Sequence, residues 1–357
     1  MNFNIGTNFE THFLNNIIEM NNKYKNNKIT EMYGSLKNCV SNIPTARPDF
    51  RIPDITVLQF KEYVKKCHEN FISFNYTANS PLTSDWFYKS QIYYKKFSDF
   101  LKDMEIDVLT LSHPLPIFAE YLSNQNFGIE ISTILDVNNI DAIKYYCEHL
   151  DVKKICLSIS KNRDFQFLEA LAKTKYVNRI ELLVNEFCNI KGIPCQNFYR
   201  KSCYELHSLG GNPDNFFGGF PMKWCSHLRR EPVSWLKSNI IMPHDLHYYT
   251  EMGYQNFKIS GRTLTTKFIT NLAEVYLSEG KDCFNNNLLS LWGHVNKISA
   301  NNVNTSNLEK IPDIFLSMER LKEIDFLKFF KEKRESCDNV LCEKCTYCHK
   351  IYRTLNR

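Results

Sequence analysis

The chain has 357 residues, is 43% hydrophobic and carries a formal net charge of +5. No apolar run approaches the roughly 20 residues that span a bilayer, and the first residues lack a basic stretch followed by an apolar one. This excludes membrane insertion and an export leader from the expectation and points to the cytoplasm. Thirteen cysteines in such a chain argue for reduced thiols, metal sites or redox chemistry over a disulfide scaffold. The mild positive excess is a weak sign of an anionic partner and does not identify nucleic acid.

In chain order, residues 1–28 read as a polar N-terminal extension, with Phe9, Phe13, Ile17 and Ile18 on one short amphipathic helix. Strand-like segments follow at Ile29–Gly34, Asn70–Tyr76, Ile106–Leu111, Gly128–Leu135, Val152–Ser158, Arg179–Val184, Ser238–Met242 and Asn256–Ser260. They are short, apolar and rich in Ile, Val and Leu, as strands covered on both faces are. Helical spacing fills the gaps at Pro116–Ser123, Asn139–Leu150 and Leu264–Leu277. Eight strands alternating with helices predict an α/β fold with a (β/α)8 TIM-barrel-like core over 29–284, a cysteine-bearing loop at 185–237 and right-handed crossovers. An open doubly wound sheet is the alternative, but no GxGxxG or Walker loop follows any strand. Residues 285–357 read as a small appendage, with an Asn-rich loop, an amphipathic helix over Leu316–Phe330 and a cysteine-rich tail.

In such a barrel the chemistry gathers at the carboxyl ends of the strands. The residues leaving them include Tyr33, Asn79, His113, Arg163, Asn185, Glu186, Cys188, His244, Asp245 and Arg262. Any one of these serves equally well as a cap or turn residue; their joint occurrence marks a candidate site. His113, Glu186, His244 and Asp245 are the candidate acid–base groups. Arg262, a guanidinium at a strand end, suits bidentate binding of a carboxylate.

Cys188, Cys195, Cys203 and Cys225 follow one strand, separated by six, seven and twenty-one residues. These are not the CxxC knuckles of a zinc ribbon, but thiolates on a long loop can fold around an iron–sulfur cluster. Four would saturate a cluster and favour electron transfer; three would leave one iron open. The bland alternative is a buried free thiol, which Cys39, Cys67, Cys147, Cys156 and Cys283 fit. A second group, Cys337, Cys342, Cys345 and Cys348, has the density of a metal site, either zinc or a second iron–sulfur cluster.

Five stretches then resemble one known family: MYGSL (32–36), FNYTAN (74–79), LLVNEFC (182–188) with Cys195 behind it, IMPHDLHYYTEMGYQNFKISGR (241–262) and CEKCTYC (342–348). The family is peptidase U32, whose members include proteins named as collagenase-like proteases and oxygen-independent hydroxylases of ubiquinone precursors or RNA bases. The resemblance implies a TIM-barrel-like core and a [4Fe–4S] cluster. Cys188 and Cys195 match the family's first cysteine pair, and Cys225 a later one. The chain departs from the hydroxylases between Cys195 and Cys225, which leaves Cys203 unassigned by likeness. In those hydroxylases prephenate is the implied oxygen donor.

Three functions are weighed. The first is an iron–sulfur enzyme that hydroxylates or oxidises an RNA base, a quinone precursor, a peptide or another small molecule without dioxygen. The second is a peptidase, against which stands the lack of HExxH, GxSxG or a cysteine-protease signature. The third is a non-catalytic, cluster-carrying member of a paired complex.

Overall fold

Eight short segments form parallel strands: β1 (Asn2–Gly6), β2 (Lys28–Gly34), β3 (Ser73–Ala78), β4 (Val108–Leu111), β5 (Gly128–Ile131), β6 (Lys154–Cys156), β7 (Ile180–Leu183) and β8 (Asn256–Ile259). They pair in sequence order, and β8 closes on β1, so the sheet is a closed eight-stranded barrel. The computed structural model describes residues 1–37, 45–81, 91–112, 127–188, 196–209, 212–282, 285–292, 312–332, 337 and 342–356. The helices between strands are α1 (Thr11–Lys23), α2 (Val57–Glu69), α3 (Gln91–Asp103), α4 (Ile140–His149) and α5 (Phe165–Ala172). After β7 come α6 (Gln196–Leu209), α7 (Pro213–Gly218), α8 (Phe220–Arg229), α9 (Pro232–Lys237) and α10 (Leu246–Thr250); α11 (Thr266–Leu277) follows β8. The chain ends in α12 (Met318–Glu323), α13 (Lys328–Glu332), α14 (Cys342–Cys345) and α15 (Tyr347–Leu355).

Local chemistry starts these helices where they start. Thr56 and Gln59 form a reciprocal capping box on α2, the Asn139 side chain accepts from the Ala142 N–H on α4, and Asp164 accepts from Phe167 on α5. Residues expected to be an extension are part of the barrel. Asn2–Gly6 is its first strand, and α1 buries Phe13, Leu14, Ile17 and Met20. Five residues with two inward polar positions do not read as a buried strand, which is why β1 was missed. Conversely, 238–242 is extended but not a strand. The Ile241 N–H bonds to the Val184 carbonyl, while side chains of Asn162, Arg163 and Tyr276 take the carbonyls of Asn239, Leu236, Ile240 and Ile241. With those partners it needs no ladder, and β7 pairs directly with β8. The expected helix over Leu316–Phe330 is two short helices, parted at Asp325, whose φ is 50°. The helix expected at Pro116–Ser123 lies outside the described residues.

The strands are apolar on one face only. Phe3, Ile5, Met32, Phe74, Tyr76, Ile129, Ile131, Leu182 and Phe257 belong to one core that also takes in the helices. The alternate residues point inward, and every strand gives one polar group to a single network. Lys154 Nζ lies 2.8 Å from both Glu31 oxygens and 3.3 Å from Glu130 Oε2. Lys258 Nζ contacts Glu130 Oε1, and lies 3.2 Å from Glu181 Oε2. Asn4 donates to Glu31 at 3.0 Å and to Glu181. Asn75 donates to Glu31 at 2.8 Å and to Glu130 at 2.7 Å, and accepts from Thr110 at 2.7 Å. Lys258 therefore points into the barrel.

Burial raises the Glu181 carboxyl to about 7, with Glu130 adding and the two lysines opposing. Glu130 is brought down to about 2, the lysines overcoming burial. An acid held above its unfolded value favours the fold fully below that value, near 4.3, and loses this as pH rises through the folded value. Glu181→Gln keeps the neutral shape and removes the titration. The stability of this variant relative to wild type should rise by about 1–3 kcal/mol between pH 5 and pH 8, as measured by urea unfolding. A difference constant over that range would refute the assignment.

Candidate functional site

β7 hands the chain to the carboxyl end of the barrel through Val184–Cys188. The Val184 N–H still bonds to the Lys258 carbonyl at 2.9 Å. Asn185 fastens this exit to that of β8, accepting from the Ser260 N–H at 2.7 Å and donating to the Ser260 carbonyl at 2.9 Å. Phe187 is fully buried, edge-on to Trp235 of α9 at 5.3 Å between ring centres. Cys188 is thereby held against Cys156, Ile159 and Leu183.

The helices α6, α7 and α8 pack on one another and bring two more thiols, Cys203 from α6 and Cys225 from α8. Burial pushes the Cys203 thiol well up, Cys225 and Cys188 push it further, and Arg229 opposes them. The three sulfurs therefore share one electrostatic neighbourhood. Among the described residues, no three His, Cys, Asp or Glu side chains come together closely enough to hold a metal ion. Cys195 lies outside the described residues. Glu186 shares the neighbourhood: burial raises its carboxyl, while Arg229 and Arg47 pull it down. Arg229 stacks on Trp292 at 3.9 Å and donates to the Phe187 carbonyl at 3.3 Å.

A second group is cationic. Arg262 is 7% exposed and donates to Ser35 Oγ at 3.1 Å and to Thr77 Oγ1. No carboxylate pairs with it among the described residues. Burial and the neighbouring Arg47 and Arg51 bring its guanidinium down to about 9. Arg51 is likewise lowered to about 9 by burial and Arg47, and donates to Thr263 Oγ1 at 3.2 Å. His207 of α6 faces all three arginines. Burial and those charges hold its imidazole well below the usual range, so it is neutral at pH 7. The sequence reading found Arg262 but not Arg47, Arg51 or His207, which lie on the loop after β2 and on α6, and no motif marks them.

His244 and Asp245, expected beside the thiols, are set instead against the appendage. Burial lowers His244 to about 4, with Lys322 and His247 adding. Burial raises Asp245 to about 7, with Arg163 opposing and Asp325 adding. His113 lies outside the described residues. In the tail, Cys337, Cys345 and Cys348 are half-buried, and Cys348 donates to the Leu236 carbonyl of α9 at 3.6 Å. Tyr347 stacks on Phe329 at 3.8 Å and donates to the Phe326 carbonyl at 3.0 Å. The side chain of Cys342 lies outside the described residues.

Fold and site define a (β/α)8 barrel protein with a thiol group and an arginine group near the carboxyl ends of its strands. Comparison with known protein families finds no match, and neither does comparison with curated proteins. Among solved structures, the chain is similar to the one described as "The Structure of the U32 Peptidase Mk0906", with a TM-score of 0.44 and 14% identity, over 59% of this chain and 79% of that one. No described helix is long and apolar enough to cross a membrane.

The arginine group depends on a close approach at Gly6. A Cβ there would stand 2.5 Å from the Arg262 backbone nitrogen. Gly6→Ala should cost about 1–3 kcal/mol of stability in urea unfolding, since the obstruction is backbone and cannot rotate away. A variant as stable as wild type would count against this packing.

Proposed function

We propose that the chain is an iron–sulfur enzyme of the peptidase U32 kind that hydroxylates or otherwise oxidises its substrate without dioxygen at the carboxyl face of the barrel. The observation that supports this reading is that Cys188, Cys203 and Cys225, from three separate elements, share one electrostatic neighbourhood near the end of the barrel where barrel enzymes gather their chemistry. An all-sulfur donor set selects an iron–sulfur cluster or zinc. A single tetrahedral zinc draws its sulfurs to within about 3.8 Å of one another, from a Zn–S length near 2.3 Å. Among the described residues no three such groups stand close enough to hold one ion, and Cys195 lies outside them. Cys195 is the further candidate ligand. Such a cluster supplies electron transfer and, when held by three thiolates, an iron open to a small oxygen ligand.

The remaining roles fall to side chains around the thiols. Arg262, with Arg47 and Arg51, presents positive charge with hydrogen-bond donors and suits a carboxylate oxygen donor such as prephenate. Glu186, raised by burial beside the thiols, is the candidate acid–base group. The substrate is a small molecule, a peptide or an RNA base. The tail cysteines hold zinc or a second cluster that fixes the appendage to α9.

Iron and acid-labile sulfide on anaerobically prepared protein test the reading. Both should be present and fall to the tail's share in Cys188→Ala and Cys225→Ala, whereas Cys345→Ser should lose only the tail metal. Protein that takes up neither iron nor sulfide under reconstitution refutes it. Arg262→Met should weaken carboxylate binding by about 10- to 100-fold, the worth of a hydrogen bond between charged groups; unchanged binding by calorimetry would remove Arg262 from the site.

A further inference from the structure

The enclosed network beneath the mouth holds three carboxylates, Glu31, Glu130 and Glu181, against two ammonium groups, Lys154 and Lys258. Fully ionised, it carries one net negative charge in a barrel where Glu130 and Glu181 are wholly inaccessible. An unbalanced charge in such a place is relieved by keeping a proton. The other ionisable groups facing Glu181 and Lys258 are Cys156 and Tyr33, and burial keeps both protonated. The three carboxylates are therefore the groups left to exchange that proton. Glu130 is bonded by Lys258, Lys154 and Asn75, and is the better-satisfied anion. Glu181 has Asn4, with lysine nitrogens at 3.2 and 3.7 Å.

This network adjoins the thiols. Cys156 stands opposite Glu181 in the β6–β7 register and packs with Leu183 against Cys188. Lys258 Nζ lies 4.6 Å from the Tyr33 ring centre, and the Tyr33 hydroxyl feels the charges of both Lys258 and Arg262. Charge placed at the mouth acts on the interior through protein and not through water, where the attraction between unit charges is several times stronger than in bulk solvent.

We propose that Glu181 is a buried proton-holding residue coupled to charge at the thiol mouth: the barrel interior takes up one proton when the mouth gains one electron and releases it when that electron leaves. The electron comes from an external one-electron reductant, and the proton comes from solvent. Uptake occurs in the fraction of molecules whose interior is fully ionised and turns the Glu181 carboxylate into the acid, and no other bond forms or breaks. The coupling rests on the iron–sulfur reading above; the proton site itself does not. Glu181 is a positioning and charge-balancing residue here, with no contact to substrate.

Two measurements test it. In protein carrying a reconstituted cluster, titrated with dithionite, the midpoint potential should be level near pH 6, where Glu181 already holds its proton, and fall as pH rises above 7, approaching 59 mV per unit, the one-electron equivalent of a tenfold change. Glu181→Gln should flatten that slope while iron and sulfide content stay unchanged. In cluster-free protein, infrared difference spectra should show a protonated carboxyl that titrates near neutrality and is missing from Glu181→Gln. A flat wild-type slope with a bound cluster overturns the coupling, and absence of the carboxyl band overturns the proton site; both are read on wild type if the variant fails to fold. A titrating band in protein that binds no iron supports the proton site and refutes the iron–sulfur reading instead.

Discussion

The constraint on which the structure depends is the enclosure of five charged groups, four of them buried, inside a closed barrel. Each must find partners among the others, because water cannot supply them. One polar residue from each strand meets this demand: Asn4, Glu31, Asn75, Thr110, Glu130, Lys154, Glu181 and Lys258. Replacing such a network with well-packed apolar residues is often neutral or stabilising. Its consequence is therefore register. Slipping any strand by one residue would turn its charge toward the helices and its apolar residues into the barrel.

That fixed register sets the mouth. The Asn185 clamp joins the exits of β7 and β8, so Cys188 and Arg262 leave the barrel from tied positions. The insertion after β7 then folds back over the opening as α6–α9, carrying two thiols, His207 and Arg229. Its aromatic anchor, Trp235, touches both Phe187 next to Cys188 and Trp292 at 5.3 Å. The neighbouring Leu236 carbonyl receives Arg163 at 2.7 Å and the Cys348 thiol. A continuous run of packed groups thus joins the C-terminal cysteines to the loop bearing Cys188.

Much of this was legible in the chain. Short apolar segments alternating with helical spacing gave a barrel, because strands covered by helices need one continuous apolar face. The count of eight was right for the wrong set: Asn2–Gly6 replaces 238–242. A five-residue strand has too little pattern to stand out, while an extended segment whose carbonyls are met by side chains looks like a strand in sequence. The interior charges were also visible, as single Glu or Lys residues set among apolar ones in TEM, IEI, IEL and FKI. They went unread because one charge in a strand says nothing about its partners.

Local order determined the parallel α/β alternation, the starts of α2, α4 and α5, and the cysteine-bearing stretch after β7, since each rests on neighbours within a few residues. Only tertiary structure decided that Cys188, Cys203 and Cys225 share a neighbourhood, that Arg47 and Arg51 join Arg262, and that His244 and Asp245 turn toward the appendage. Those outcomes depend on groups tens to hundreds of residues apart, and their relative positions are set by barrel closure and by the path of the insertion. Spacing along the chain carries no information about either.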